Sequence, residues 1–350
     1  VLGGRLVQSV NSILNFGQWQ SRAGNGVRMA RVDRRVLIWN WAIRRQGSIA
    51  TKTDAQVVAL QARRTPSNAL MNRIFGTVAP GIVVTDRTIP GPGGELAARV
   101  YTPAGAGSEP RPLVVYFHGG GFVLGDLRLG DWICSQVAAT VGAVVLSVAY
   151  RLAPSHPFPA AVDDCYAAAV WAAENAADLG ADGRMGVMGE SAGANLSAVV
   201  ALLARDRGSP AIAYQALLYP PTDMTRESTH TADALIIPAS ETRAYRRLYL
   251  GDTDPRDSRV SPLLAEDHRG LPPALIQVAE HDPLRDDGIR YAAALRRAGV
   301  PVRLTEYIGM PHGYLNFPGI CRGAAQALAE LCAELSAALV QPSDIVEAVD

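Results

Sequence analysis

From Ile82 onward the chain alternates short β-rich runs with longer helical patterns, and no other feature restricts so strongly what it can fold into. "GIVVTDRTIPG" and "LAARVYTP", split by the turn "PGPGGE", read as a hairpin. Then follow "LVVYFHGGG", "AVVLSVAY", "RMGVMGES", "IAYQALLYP", "ALIQVAEHD" and "VRLTEYIGM". Between the later runs lie helical stretches such as Asp164 to Asn175, Ala192 to Arg207 and Leu284 to Ala298. Nearly continuous Val, Leu and Ile in those runs implies strands buried on both faces. That means a mostly parallel sheet covered by helices, entered through two antiparallel strands. In such sheets reacting groups gather outside the carboxyl ends of the strands, where helix N-termini and loop backbone converge.

Two segments fall outside the alternation, residues 1 to about 80 and roughly Thr222 to Leu250. Both read as mainly helical and are expected to form a cap, leaving residues 81–340 as the catalytic domain with a cap insertion at about 222–250. A length of 350 residues accommodates one large α/β domain with such an addition. "RVDRRVLIWNWAIRRQG" mixes basic residues with Trp39 and Trp41; a cap helix with inward tryptophans is expected, and a helix lying on a lipid surface is the alternative. No apolar run reaches the roughly 18–20 residues that cross a bilayer. The opening "VLGGRLVQSVNSILNFG" does not read as a signal peptide.

Charge sets further bounds. The 33 basic and 33 acidic side chains balance, which argues against a nucleic-acid partner held by bulk charge. Lys52 is the single lysine, so neither a phosphate-binding GxxxxGK[ST] loop nor lysine Schiff-base chemistry is available. Cys134, Cys165, Cys321 and Cys332 are scattered and form no CxxC pair. They read as buried thiols of a reducing compartment, so a cytoplasmic location is expected.

"GESAGANLS" places Ser191 between Gly189 and Gly193, directly after a β run and before a helical one. That context is a sharp strand-to-helix turn, which needs small neighbours and lifts a serine hydroxyl clear of the backbone. The competing reading is a plain helix cap. A serine nucleophile needs a base. Of six histidines, His118, His156, His230, His268 and His281 precede or flank the likeliest acid, whereas His312, in "GMPHGY", follows the last β run. The base in turn needs a carboxylate to fix its tautomer. Asp282 follows "ALIQVAEH" at a strand's carboxyl end and gives the order serine, acid, histidine; Asp223, Asp286 and Asp287 are its competitors. "HGGGF", His118 to Phe122, offers backbone amides for an oxyanion, with Gly119, Gly120 and Ala192 the expected donors. His118, Gly121, Phe122 and Glu190 are expected to line the substrate pocket.

With these motifs in order the chain resembles the hormone-sensitive lipase family of α/β-hydrolases, the group that holds many bacterial esterases. The resemblance runs from "DRTIPGPGGELAARVYTP" through "HGGGF", "YRLAPSHPFPAAVDD", "GESAGANL", "SPLL" and "LPPALIQVAEHDPLRDDG" to "PHGY". It implies an eight-stranded α/β-hydrolase sheet with a helical cap, and places the triad and oxyanion roles on the same six positions. Three departures stand out: Glu190 and Ala194 where the family has Asp or Thr and Gly, Ser155 where it has Glu, and residues 1 to about 80, which match the family only as a generic helical cap, so no specificity carries over from it. The larger type-B carboxylesterases also carry "GESAGA", but "DPLRD" and "YRLAP" decide against them.

The combined expectation is a serine carboxylester hydrolase that cleaves short- to medium-chain acyl esters through an acyl-enzyme. It would use no metal or organic cofactor and act as a monomer or homodimer on a small-molecule ester. Amide hydrolysis or deacetylation by the same triad, and a non-hydrolytic receptor on this fold, are the alternatives.

Overall fold

The computed structural model describes residues 32–45, 47–63, 68–105, 111–227 and 234–340. Residues 1–31 of the expected cap, His230 and the rest of 228–233 lie outside the described residues.

Eight strands form one sheet in the order β1-β2-β4-β3-β5-β6-β7-β8. They are β1 (Ile82–Gly91), β2 (Gly94–Pro103), β3 (Arg111–Phe117), β4 (Val144–Val148), β5 (Ala181–Glu190), β6 (Tyr214–Leu218), β7 (Ala274–His281) and β8 (Val302–Pro311). β1 and β2 pair antiparallel, as the hairpin reading requires, and β2 pairs antiparallel with β4. Every other pairing is parallel. The second hairpin strand begins earlier than its sequence suggests, at Gly94, leaving Pro92 and Gly93 as a two-residue turn.

Side chains alternate across the sheet, so each central strand feeds two cores. Leu113, Val115 and Phe117 of β3 point to a core shared with α5 (Ala160–Glu174) and α6 (Ala192–Arg207). Val114 and Tyr116 point to the opposite core, under α4 (Asp131–Val141) and α9 (Gly323–Leu339). A third cluster joins α6 to α8 (Arg285–Arg297) across β6 and β7. Burying each such Val or Leu contributes roughly 1.5–3 kcal/mol. Two quoted motifs prove to be struts of this frame. Arg151 of "YRLAP" chelates the fully buried Asp164 at 2.7–3.1 Å. The Ser261 hydroxyl of "SPLL" accepts the Met224 amide at 2.7 Å and donates to the Pro255 carbonyl. Ser155 is exposed, so its departure from the family disturbs no packing.

Over the carboxyl end of the sheet lie α1 (Arg34–Arg44), α2 (Asp54–Gln61), α3 (Ala69–Phe75) and α7 (Ala239–Leu250). The two segments outside the alternation meet through Ile49, Val57, Ala244 and Leu248, which pack on Val123 and Ala153 of the sheet's loops. The Ile49 amide also donates to the Glu241 carboxylate at 3.2 Å. Of the two tryptophans, Trp39 packs against Phe75 and Phe317, at 6.2 and 5.4 Å between ring centres. Trp41 does not join them: the Arg45 guanidinium lies 3.9 Å from its ring. Among its described residues the second segment is less helical than its sequence suggests, with helix from Ala239. The stretch after Pro220 and Pro221 is tied instead to α8 and to the turn at Pro262–Leu264, Thr222 donating to the Asp287 carbonyl and accepting the Leu263 amide on its own carbonyl.

Candidate active site

Ser191 occupies the single residue between β5 and α6, with φ +53° and ψ −119°. An L-residue adopts that backbone only when its surroundings impose it. Here the imposition is visible: the Ser191 amide is held by the Leu218 carbonyl at 2.8 Å. A Cβ on Gly189 would sit 2.2 Å from the Gly193 carbonyl oxygen, and one on Gly193 would sit 1.9 Å from that of Phe117. The two glycines of GxSxG are therefore a packing requirement of the turn. As a cap the serine does nothing, since its side chain makes no hydrogen bond to the helix.

β7 and β8 end beside this turn. Asp282, the first residue beyond β7, is fully buried, and His312 directly follows β8. The His312 Nδ1–H donates to Asp282 Oδ2 at 2.8 Å, and its Nε2 accepts from the Ser191 hydroxyl at 2.9 Å. The Leu284 amide fixes the other carboxylate oxygen at 2.8 Å. Serine, imidazole and carboxylate thus lie in one hydrogen-bonded row, the arrangement that lets a hydroxyl lose its proton as it attacks a carbonyl. The competing acids are engaged elsewhere. Arg290 binds Asp223 and Asp287, both at 2.6 Å, and Asp286 pairs with Arg285.

The row opens on a cavity of about 270 Å³. Gly119, Gly120, Gly121, Phe122, Ala192, Met224, Ile236, Tyr245, Leu284 and Phe317 contribute to its wall. The glycine loop requires one correction. The Gly119 amide donates to Glu190 Oε1 at 3.4 Å and so points away from the serine. Among the described residues the Gly120, Gly121 and Ala192 amides meet no protein acceptor. The donors available to an oxyanion are therefore Gly120, Gly121 and Ala192. Gly120 and Gly121 have φ +118° and +64°, the turn that three glycines permit. Ala192 opens a 16-residue helix, whose N-terminus favours negative charge.

Two expected pocket residues lie beneath the cavity. His118 is buried, stacks on Tyr150 at 4.4 Å, and donates from Nδ1 to the Gly119 carbonyl at 2.7 Å. Burial pushes its imidazole below the ordinary range, which keeps it neutral. Glu190 is fully buried, and its oxygens accept from Tyr116, Tyr219 and Gly119. Burial holds this carboxyl above the ordinary range, against the pull of those donors. Residues of either type next to a motif suggest a pocket, but only the fold shows that both point into the sheet. Tyr219, whose ring meets His312 edge-on at 5.0 Å, carries no sequence signal, because a tyrosine at a strand end is ordinary. No group of three or more His, Cys, Asp or Glu able to hold a metal occurs among the described residues.

The sequence pattern of the alpha/beta hydrolase fold matches residues 114–316. The carboxylic ester hydrolase LipN of Mycobacterium tuberculosis is 48% identical over 267 residues, spanning 73% of this chain and 70% of that protein. The chain is an α/β-hydrolase of the hormone-sensitive lipase family. Its relatives in this family include the carboxylesterase NlhH of the same organism, 44% identical over 74% of this chain and 84% of the relative. Among solved structures of α/β-hydrolases, one from the metagenome of Lake Arreo superposes with a TM-score of 0.80 at 34% identity, covering 88% of this chain and 98% of its own. An esterase of Pyrobaculum calidifontis superposes with a TM-score of 0.75 at 38% identity, covering 86% and 97%.

Proposed function

We propose that this α/β-hydrolase is a serine carboxylester hydrolase in which Ser191 is the nucleophile, His312 the general base and Asp282 its orienting carboxylate. The observation that carries the reading is the unbroken row from the Ser191 hydroxyl through His312 to Asp282, at 2.9 and 2.8 Å. The relatives named as carboxylic ester hydrolases support the ester as substrate. His312 takes the serine proton as Oγ attacks the ester carbonyl. The amides of Gly120, Gly121 and Ala192 receive the tetrahedral oxyanion at the N-terminus of α6. The imidazolium returns the proton to the departing alcohol, and water repeats both steps on the acyl-enzyme.

The wall of the cavity supports short- to medium-chain acyl groups. Phe75 and Leu129 line both this cavity and a second one of about 200 Å³, and so form the partition between them. An acyl chain that reaches this partition is stopped there. Residues up to about 80 and the insertion at about 222–250 are proposed as the cap and 81–340 as the catalytic domain, a division supported by the apolar cluster that joins Ile49 to Leu248.

Four free, buried cysteines support a reducing, cytoplasmic setting. Among the described residues no helix is long and apolar enough to cross a membrane. Leu37 and Ile38, about half exposed on α1, support contact with lipid, which vesicle flotation tests. A monomer or homodimer is proposed, and light scattering reads which.

Ser191→Ala tests the reading. It should abolish turnover of a short p-nitrophenyl ester while the circular dichroism spectrum stays that of the wild type. Retained turnover would place the nucleophile elsewhere, and faster wild-type turnover of a matched anilide would shift the assignment to amides.

A further inference from the structure

Glu190 is one of the two residues at which this chain departs from its family around the nucleophile motif, and its carboxylate is fully buried with no cationic partner among the described residues. Burying a carboxylate carries a large desolvation cost unless hydrogen bonds compensate for it. Here they come from three different elements. Oε1 accepts the Tyr116 hydroxyl of β3 at 2.9 Å and the Gly119 amide at 3.4 Å, while Oε2 accepts the Tyr219 hydroxyl beyond β6 at 2.7 Å. Asn316, in the turn after His312, also favours the ionised form of this carboxyl.

Each partner leads to a different part of the site. Gly119 begins the loop that carries the Gly120 and Gly121 amides, and a Cβ there would meet the Glu190 carbonyl oxygen at 3.1 Å and Oε1 at 3.4 Å. The loop is thus seated directly on Glu190. Tyr219 has φ +44°, a backbone that a bulky residue holds only under constraint. Its amide is tied to the Gln277 carbonyl at 2.7 Å and its hydroxyl to Glu190, so its ring is fixed at both ends against the His312 imidazole. Asn316 lines the cavity itself.

We propose that Glu190 is a positioning residue that fixes the oxyanion loop, through Gly119, and the base, through Tyr219, relative to the serine next to it in the chain. The inference rests on the esterase reading above for what is positioned. Glu190 touches neither substrate nor reacting atoms. Its contribution is that two groups arriving from distant strands share one reference point. Misplacing a reacting group by about 1 Å can cost about 10²-fold in rate. Because Glu190 lies outside the cavity, its loss should fall on kcat and leave KM in place.

The test compares wild type, Glu190→Ala, Glu190→Gln and Tyr219→Phe for kcat, KM, melting temperature and the rate of Ser191 labelling by a fluorophosphonate. Glu190→Ala should lose on the order of 10²-fold in kcat and in labelling rate at unchanged KM. Glu190→Gln keeps an acceptor for Gly119 and Tyr116 and should recover roughly tenfold of that loss. Tyr219→Phe releases one arm alone and should fall between them. Should Glu190→Ala fail to fold, the Gln and Phe variants carry the test. Folded variants that lose melting temperature but keep wild-type kcat and labelling rate would overturn the proposal and leave Glu190 as a buried strut. If the wild type labels but turns over no ester, the esterase reading fails, while the labelling rates still decide the role of Glu190.

Discussion

The rim of the sheet and the cap above it are built on opposite terms. At the rim, Ser191, Asp282, His312 and Glu190 are almost wholly buried, and their partners are fixed hydrogen bonds from strand ends. Glycines there touch backbone, which cannot yield. In the proposed cap most of the packing is apolar and side-chain to side-chain, Trp39 on Phe75 and Phe317 and Ile49 and Val57 clustered with Leu248, beside a few polar contacts such as Gln61 to the Val123 and Ala153 carbonyls. Of its three cavity-lining arginines, Arg226 and Arg243 are exposed and Arg246 is half-buried. Backbone geometry at strand ends tolerates little variation, whereas apolar side chains repack, so the proposed function assigns chemistry to the first region and substrate choice to the second.

The largest effect expected of this contrast is at the rim. Asp282→Asn should lower kcat by about 10⁴-fold with little change in KM, because the amide favours the wrong imidazole tautomer. Steady-state kinetics on a p-nitrophenyl ester read it, and a loss below tenfold would mean that the base does not depend on Asp282.

Next comes a place where the regions meet closely. A Cβ on Gly121 would lie 2.5 Å from the Tyr245 ring of the cap. Gly121→Ala should cost roughly 10²-fold in kcat by displacing an oxyanion amide. Tyr245→Ala in the same background should restore part of the loss. No recovery would show that backbone strain at φ +64°, rather than the cap, is responsible.

A smaller change is expected within the cap. Phe75→Ala should merge the two cavities, and each further methylene buried is worth about 0.8 kcal/mol. Two added carbons should therefore shift the relative kcat/KM toward the longer ester by roughly tenfold. A profile of esters from about two to sixteen carbons reads the shift; an unmoved optimum would place the acyl limit elsewhere.

The smallest effect is a pH slope. Burial pushes the Asp287 carboxyl up to about 6, against the pull of Arg290, whereas hydrogen bonds from Thr225 and Arg290 hold Asp223 below its ordinary range despite burial. A raised carboxyl favours the folded state fully below its unfolded value, near 4, and loses that contribution as pH rises through about 6. Asp287→Asn removes this slope. Its melting temperature relative to wild type should rise between pH 4 and 7, and a flat or falling difference would refute the assignment.

The sheet was legible because its signals are local. "LVVYF", "AVVLSV" and "ALIQVA" are apolar runs bounded by turns, and the strand-turn-helix around Ser191 is written in nine residues. Asp282 and His312 could be proposed because chain order and strand ends restrict where an acid and a base can stand. The direction of a side chain was not legible. Gly119 differs from Gly120 and Gly121 in no property of sequence, yet its amide turns to Glu190. His118 and Glu190 flank the right motifs and face the wrong way for a pocket.

What the sequence by itself determined is therefore the order and type of the elements, and the residue types at their ends, since hydrophobic periodicity and steric demand act between near neighbours. Tertiary structure alone decided which amide turns to Glu190, which tyrosine meets His312 and which residues line both cavities. Those outcomes depend on atoms brought within a few ångströms by strands far apart in the chain, and no stretch of sequence encodes such a distance.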